Sequence, residues 1–174
     1  MINFIKQFIL HPKEVGAVTP SGPELIKLMM EPIDFAKTSH IVEVGPGDGA
    51  ITKALLKKMS PESKLTAIEI NKEFCNELKK INDSRLTVIN GDAFEISSIV
   101  TEAEYVVSGL PLVSFSEKKV DSFLTQAKTI AKQSYIQYNY SPLREAQYKK
   151  HFKQVSRKIA IKNIPPAIVY TCRD

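Results

Sequence analysis

The stretch IVEVGPGDGAIT, residues 41 to 52, decides the fold. Ile41, Val42 and Val44 flank Glu43, glycines stand at 45, 47 and 49, and the end opens an amphipathic segment. A buried strand that turns sharply into a helix needs residues without a Cβ, to free the backbone and to let a ligand approach the main chain. On either side the pattern repeats. HIVEVG (40–45), KLTAIEI (64–70), RLTVIN (85–90), AEYVVSGL (103–110) and QSYIQYN (133–139) are β-rich and read as buried parallel strands. AITKALLKKMS, NKEFCNELKKIN and SEKKVDSFLTQAKTIAK carry apolar residues at helical spacing with lysines opposite, and read as crossover helices. The alternation predicts a doubly wound α/β sheet. VSRKIAIKN (155–163) and AIVYTCR (167–173) are joined only by IPP, so an antiparallel pair is expected there.

Composition bounds the function. The chain of 174 residues suits one compact domain, and 43% hydrophobic with 25% charged residues is ordinary for a soluble protein. No apolar run reaches the roughly 18 residues of a membrane span. Pro12, Lys13 and Glu14 stand where a signal peptide needs a cleavage site, so a cytoplasmic protein is expected. Cys75 and Cys172 belong to no CxxC or Cys/His cluster and read as packing residues; no metal site is expected. The net charge of +5 is uneven: residues 118–174 hold 12 Lys or Arg against 3 acidic residues. A basic surface of this kind attracts phosphate, on nucleic acid or on anionic lipid.

The glycines are spaced GxGxG, which is neither the GxGxxG of dinucleotide binders nor a GK[ST] loop. Glu43 stands shortly before them, Glu69 ends the next strand and Asp92 follows the third. Three carboxylates at the ends of neighbouring strands suit a ligand with hydroxyls, an amine and a sulfonium cation, and repel phosphates. This is a nucleoside-type site.

These motifs, ExGxGxG at 43–49, the strand-ending Glu69 and GDA at 91–93, resemble those of class I S-adenosylmethionine-dependent methyltransferases over roughly residues 40–174. The resemblance implies a Rossmann-like fold with a seven-stranded, mostly parallel sheet whose last strand is antiparallel, preceded by N-terminal helices. It also implies that Gly45, Gly47 and Gly49 surround the cofactor, that Glu43 lies near its amino acid moiety, that Glu69 with Ile70 holds the ribose, and that Asp92 with Ala93 contacts the adenine. SGLPL (108–112) follows the fourth strand, where these enzymes place the acceptor, and Ser108, Gly109, Leu110 and Pro111 become acceptor-loop residues, Ser108 also touching the cofactor.

Two subfamilies fit. The cofactor turn resembles that of ribosomal RNA adenine dimethylases, which carry Asn-Leu-Pro-Tyr or Asn-Leu-Pro-Phe where this chain has Gly109-Leu110-Pro111-Leu112; the amide that grips the base and the ring that stacks on it are missing. The helical extension of that group is expected to be absent. FILHPKEVGAVTPSG (8–22), VGPGDGAIT, SGLPL, IQYNYSPL and NIPPAIVY together resemble bacterial phospholipid N-methyltransferases, which methylate the amine of phosphatidylethanolamine.

The remaining expectations follow from a lipid substrate. In MINFIKQFILHP, Ile2, Ile5, Phe8 and Ile9 share a helical face suited to a bilayer interface or to packing on the sheet. Ser21 and Glu24 form a capping box for PELIKLMM, so VGAVT becomes a lid, and residues 1–38 a lid and membrane-docking segment ahead of a methyltransferase domain at 39–174. Thr19, Pro20 and Ser21 would face substrate. Tyr138, Tyr140 and Phe115 are candidates for an aromatic cage around a methylated ammonium, and Arg144 for a bidentate grip on a lipid phosphate. His11 is a candidate for proton removal. The expected partner is an anionic membrane surface on the cytoplasmic side, not nucleic acid, and a monomer is expected. An RNA adenine methyltransferase and a non-catalytic nucleoside-binding or membrane-associated protein remain alternatives.

Overall fold

The computed structural model describes residues 21–174; the expected interfacial helix, the lid, His11, Thr19 and Pro20 lie outside them. The elements run α1 (Pro23–Met30), β1 (His40–Val44), α2 (Ala50–Lys58), β2 (Lys64–Glu69), α3 (Lys72–Lys79), β3 (Leu86–Asn90), α4 (Ile96–Ile99), β4 (Ala103–Ser108), α5 (Glu117–Ile130), β5 (Ala131–Asn139), α6 (Glu145–His151), β6 (Gln154–Ala160) and β7 (Ala167–Arg173). The seven strands form one sheet in the order β3-β2-β1-β4-β5-β7-β6. β1 to β5 are parallel, and β7 runs antiparallel to both β5 and β6. This is the expected class I methyltransferase architecture.

The order places the site. From β1 the chain winds outward through β2 to β3, then returns to β4 on the other side, so a crevice opens above the ends of β1 and β4. The register makes those ends level, with Val44 opposite both Ile68 and Ser108.

Alternation along the strands feeds two apolar layers. Ile41, Tyr105, Val107 and Ile136 meet Leu25 and Met29 of α1 and Leu55 of α2 on one face. Val42, Val44, Val106 and Tyr135 meet Phe123, Leu124 and Tyr148 on the other. Cys75 and Cys172 are buried in this packing.

Among the described residues, two of the six helices start on a side-chain cap. The Asn71 side chain accepts from the amides of Glu73 and Phe74 ahead of α3, and Ser116 accepts from the amide of Lys119 ahead of α5. Two expectations need correction. Ser21 does not cap α1: Gly22 is the cap, with no side-chain cap bond, and Glu24 turns away to accept the Lys162 amide at 2.6 Å. A tertiary partner on the β6–β7 turn wins over the local one, and the Gly22 amide donates to Asn163 Oδ1 of the same turn at 2.9 Å. β3 is not a fully buried strand either. It is the sheet edge, with Thr87 and Asn90 exposed, because no further strand follows it on that side.

Candidate active site

The turn after β1 is built from glycine for a backbone reason: Gly45, Gly47 and Gly49 have φ of 66°, 56° and 79°, all left-handed. A Cβ on Gly47 would meet nothing within 4 Å, so the space above the turn is open, whereas one on Gly49 would meet Leu78 at 2.8 Å. Gly45 is tied to β2 through its amide, which donates to the Ile68 carbonyl at 3.0 Å.

Of the three predicted carboxylates, Glu69 ends β2 and contacts this turn, Glu43 lies in β1 just before it, and Asp92 follows β3. Glu69, 6% exposed, accepts the Gly47 amide at 3.2 Å with one oxygen and the Asn71 amide at 2.8 Å with the other. Each oxygen keeps a lone pair for a further donor. Burial raises its pKa, opposed by the amides of Asn71, Gly47 and Ile70. Ile70, the next residue, is 57% exposed and offers an apolar surface beside the carboxylate. Asp92 accepts the Phe94 amide at 2.9 Å and stands 3.9 Å from Lys119 Nζ, and Ala93 is buried behind it.

Glu43 is 1% exposed; Oε2 accepts from the Thr52 hydroxyl at 2.7 Å, while Oε1 is buried with no partner among the described residues. Burial pushes its pKa up to about 8, helped by the negative charges of Glu69 and Asp48 and opposed by Thr52. In the unfolded chain the group ionises near 4.5, so between about pH 4.5 and 8 the folded state holds a proton that the unfolded state has lost. Stability therefore falls as pH rises through that window, by up to about 1.4 kcal/mol per pH unit. Glu43→Gln, which cannot ionise, is expected to flatten this dependence in urea titrations at pH 5, 6.5 and 8; an unaltered slope would assign the dependence elsewhere.

The loop predicted to face the acceptor lies against the same turn. The Gly109 amide donates to the Val44 carbonyl at 2.9 Å, and a Cβ on Gly109 would stand 2.6 Å from the Gly45 carbonyl oxygen and 3.6 Å from Tyr138 Cε1. Gln137, fully buried, donates to the Leu110 carbonyl at 3.0 Å and accepts from the Tyr135 hydroxyl at 2.5 Å. Ser108 is fully buried beside Tyr135, and the Pro111 carbonyl accepts the Ser114 amide at 2.9 Å. Leu112 is fully buried in the core, so it does not line the acceptor space as a small apolar loop would suggest.

Tyr138 and Tyr140 alternate onto one side as expected, with ring centroids 5.8 Å apart. Burial raises the Tyr138 hydroxyl far above its ordinary pKa, and the Ser21 side chain is its hydrogen-bond partner. Phe115 does not join them. The turn at Leu112–Ser114 carries it to the other face of the sheet, 4.6 Å from the Phe94 ring, where Lys119 Nζ sits 4.0 Å from the Phe94 centroid and 5.2 Å from that of Phe115. Arg144 is likewise committed: Nε donates to the Leu112 carbonyl at 3.2 Å, Nη1 to Gln147 at 2.8 Å and Nη2 to the Phe115 carbonyl at 2.5 Å. It staples the acceptor loop and does not present a free fork to a phosphate.

Thr52, Gln137 and the stapling role of Arg144 were not anticipated. A signal existed for Gln137, a polar residue between Ile136 and Tyr138 in a buried strand, but its partner lies 27 residues away.

Comparison with known proteins agrees with this fold. The family model described as ribosomal RNA adenine dimethylase matches residues 21–157. An ornithine lipid N-methyltransferase from Singulisphaera acidiphila is 28% identical over 98% of this chain and 94% of its own length. A ribosomal RNA small subunit methyltransferase A from Mycoplasma capricolum is 31% identical over 62% of this chain, which spans 44% of that protein. Among solved structures, a precorrin-6y C5,15-methyltransferase from Geobacter metallireducens superposes with a TM-score of 0.72 at 11% identity, covering 91% of this chain and 93% of the other. A magnesium protoporphyrin IX methyltransferase from Synechocystis with bound S-adenosylmethionine superposes at 0.68 and 11% identity, covering 86% and 76%.

Proposed function

The chain belongs to the ribosomal RNA adenine dimethylase family and is an S-adenosylmethionine-dependent methyltransferase, and from that premise we propose that it methylates the headgroup amine of a membrane lipid and not an RNA base. The observation that carries this reading is the contact between Gly109 and the Gly45 carbonyl. With a Cβ only 2.6 Å from that oxygen, the loop has no room for the asparagine that the RNA enzymes carry, and Leu112, at the position of their aromatic residue, is buried in the core. Similarity to a lipid N-methyltransferase along nearly the whole chain supports it further.

The site suits the methyl donor. Gly47 leaves open space, Glu69 retains lone pairs for ribose hydroxyls, Ile70 offers an apolar face to a purine, and Glu43 Oε1, without a partner among the described residues, can accept from an ammonium. When bound, the donor supplies a methyl group already activated by its sulfonium. The protein then has to align the acceptor nitrogen and keep it uncharged. Buried surroundings at Tyr138 disfavour an ammonium by desolvation, lowering the amine's pKa. The Tyr138 hydroxyl stays protonated at working pH, so it serves as a hydrogen-bond partner for the amine and not as its base. Among the described residues no helix is long and apolar enough to cross a membrane, and we place the enzyme peripherally on the cytoplasmic face.

The test supplies labelled S-adenosylmethionine with vesicles containing phosphatidylethanolamine or an ornithine lipid and, separately, with ribosomal RNA. Label in a lipid amine is expected; label in RNA alone overturns the reading.

A further inference from the structure

The turn joining β6 to β7 exposes apolar side chains that the packing of the fold does not use. Ile161 and Ile164 are 73% and 75% exposed and Ile159 is 53% exposed, while Lys162, Pro165 and Pro166 beside them are also exposed. The turn is anchored. Asn163, 4% exposed, accepts the Gly22 amide at 2.9 Å and donates to the Pro165 carbonyl at 2.8 Å, and the Lys162 amide is held by Glu24. The isoleucines are thus held outward by these hydrogen bonds.

Topology puts this tip at the site's end of the sheet. β7 runs antiparallel to β5 with Ile168 opposite Asn139, so the turn before β7 lies level with the end of β5, where Tyr138 and Tyr140 stand. Tyr140, 43% exposed, has Asn163 as a side-chain hydrogen-bond partner, and Leu143, 77% exposed, follows in the next loop. Acceptor site and apolar tip share one rim.

The charge selects the occupant. Between Ala146 and Arg173 there is no acidic residue, while Arg157, Lys158 and Lys162 lie on the hairpin; facing them, Glu145 takes Arg157, Glu31 takes Lys158 and Glu24 takes the Lys162 amide. A second copy paired antiparallel about the middle of β6 would set Arg157 against Arg157 and Lys158 against Ser156, so the edge offers the copies no complementary charge. A bilayer interface accepts isoleucines below the headgroups with lysines at phosphate level. Resting on the lipid-amine reading, we infer that the β6–β7 tip inserts into an anionic membrane surface through Ile161 and Ile164, setting the mouth of the acceptor site at headgroup height.

The test uses the full chain with phosphatidylcholine vesicles, with and without phosphatidylglycerol, all containing phosphatidylethanolamine. The Ile161→Asp/Ile164→Asp double variant is expected to bind anionic vesicles at least tenfold more weakly and to show a raised KM for vesicle lipid. Activity on detergent-dispersed lipid and the melting temperature should be unchanged, because both side chains are exposed. Lys162→Glu should weaken binding to the anionic vesicles alone. Native-like vesicle binding by the double variant overturns the inference even where lipid is methylated, and so does a dimer lost in that variant while vesicle binding persists. Vesicle binding that depends on the tip, in a protein that methylates no lipid, leaves the docking surface standing and removes the substrate reading.

Discussion

Replacing Glu69 by alanine is expected to weaken S-adenosylmethionine binding at least a hundredfold. The carboxylate closes two circuits. It anchors the glycine turn through the Gly47 amide and the start of α3 through the Asn71 amide, and each oxygen keeps a lone pair for a ribose hydroxyl. Hydrogen bonds to a charged group contribute about 1.5–3 kcal/mol each, so losing two to a ligand costs about 3–6 kcal/mol, or about two to four decades in affinity. Glu69→Gln keeps the shape and one carbonyl oxygen and should fall between the native protein and alanine. Titration calorimetry decides it: an unchanged dissociation constant for the alanine variant would withdraw the ribose assignment.

The second large effect is expected at Gly109. Alanine there puts a methyl group 2.6 Å from the Gly45 carbonyl oxygen, and both partners are backbone, so no side chain can swing aside. The acceptor loop and the cofactor turn must separate, and displacement of a reacting centre by about 1 Å is enough to cost about a hundredfold in rate. kcat/KM for the lipid amine should fall by at least about that factor, with folding retained at a cost of about 1–3 kcal/mol for overpacking. Gly109→Asn, which restores the residue of the RNA enzymes, is expected to gain no activity on RNA, because its Cβ alone opens the loop. A Gly109→Ala enzyme with half the native activity would show that the contact with Gly45 has slack and that the loop is not held in register by it.

These two residues differ in how they could be found. Glu69 was legible because the features that identify it are local: an apolar run ending in a carboxylate, at a fixed place after a glycine turn. Gly109 was visible as a departure from a known motif, but the reason for the glycine was not, since Gly45 is 64 positions earlier in the chain and meets it only when β1 and β4 lie side by side. Phe115 and Arg144 misled for the same reason. An aromatic residue and an arginine near an acceptor loop suggest a cage and a phosphate grip, yet Phe94 and the carbonyls of Leu112 and Phe115 claim them first.

The sequence by itself determined the alternation of strands and helices, the glycine turn, the three carboxylates at the ends of neighbouring strands and the antiparallel return at the end. Each of these depends on side-chain periodicity or backbone freedom within a few residues, which neighbours in the chain suffice to specify. Only the tertiary structure decided which polar groups remain free to meet a ligand. Glu24 leaves Ser21 for a backbone amide 138 residues away, Gln137 reaches across to the Leu110 carbonyl, and Asn163 pins the apolar tip to Gly22. A buried polar group such as Gln137 or Asn163 takes the partner the fold brings within reach, because leaving it unpaired costs about 1–3 kcal/mol.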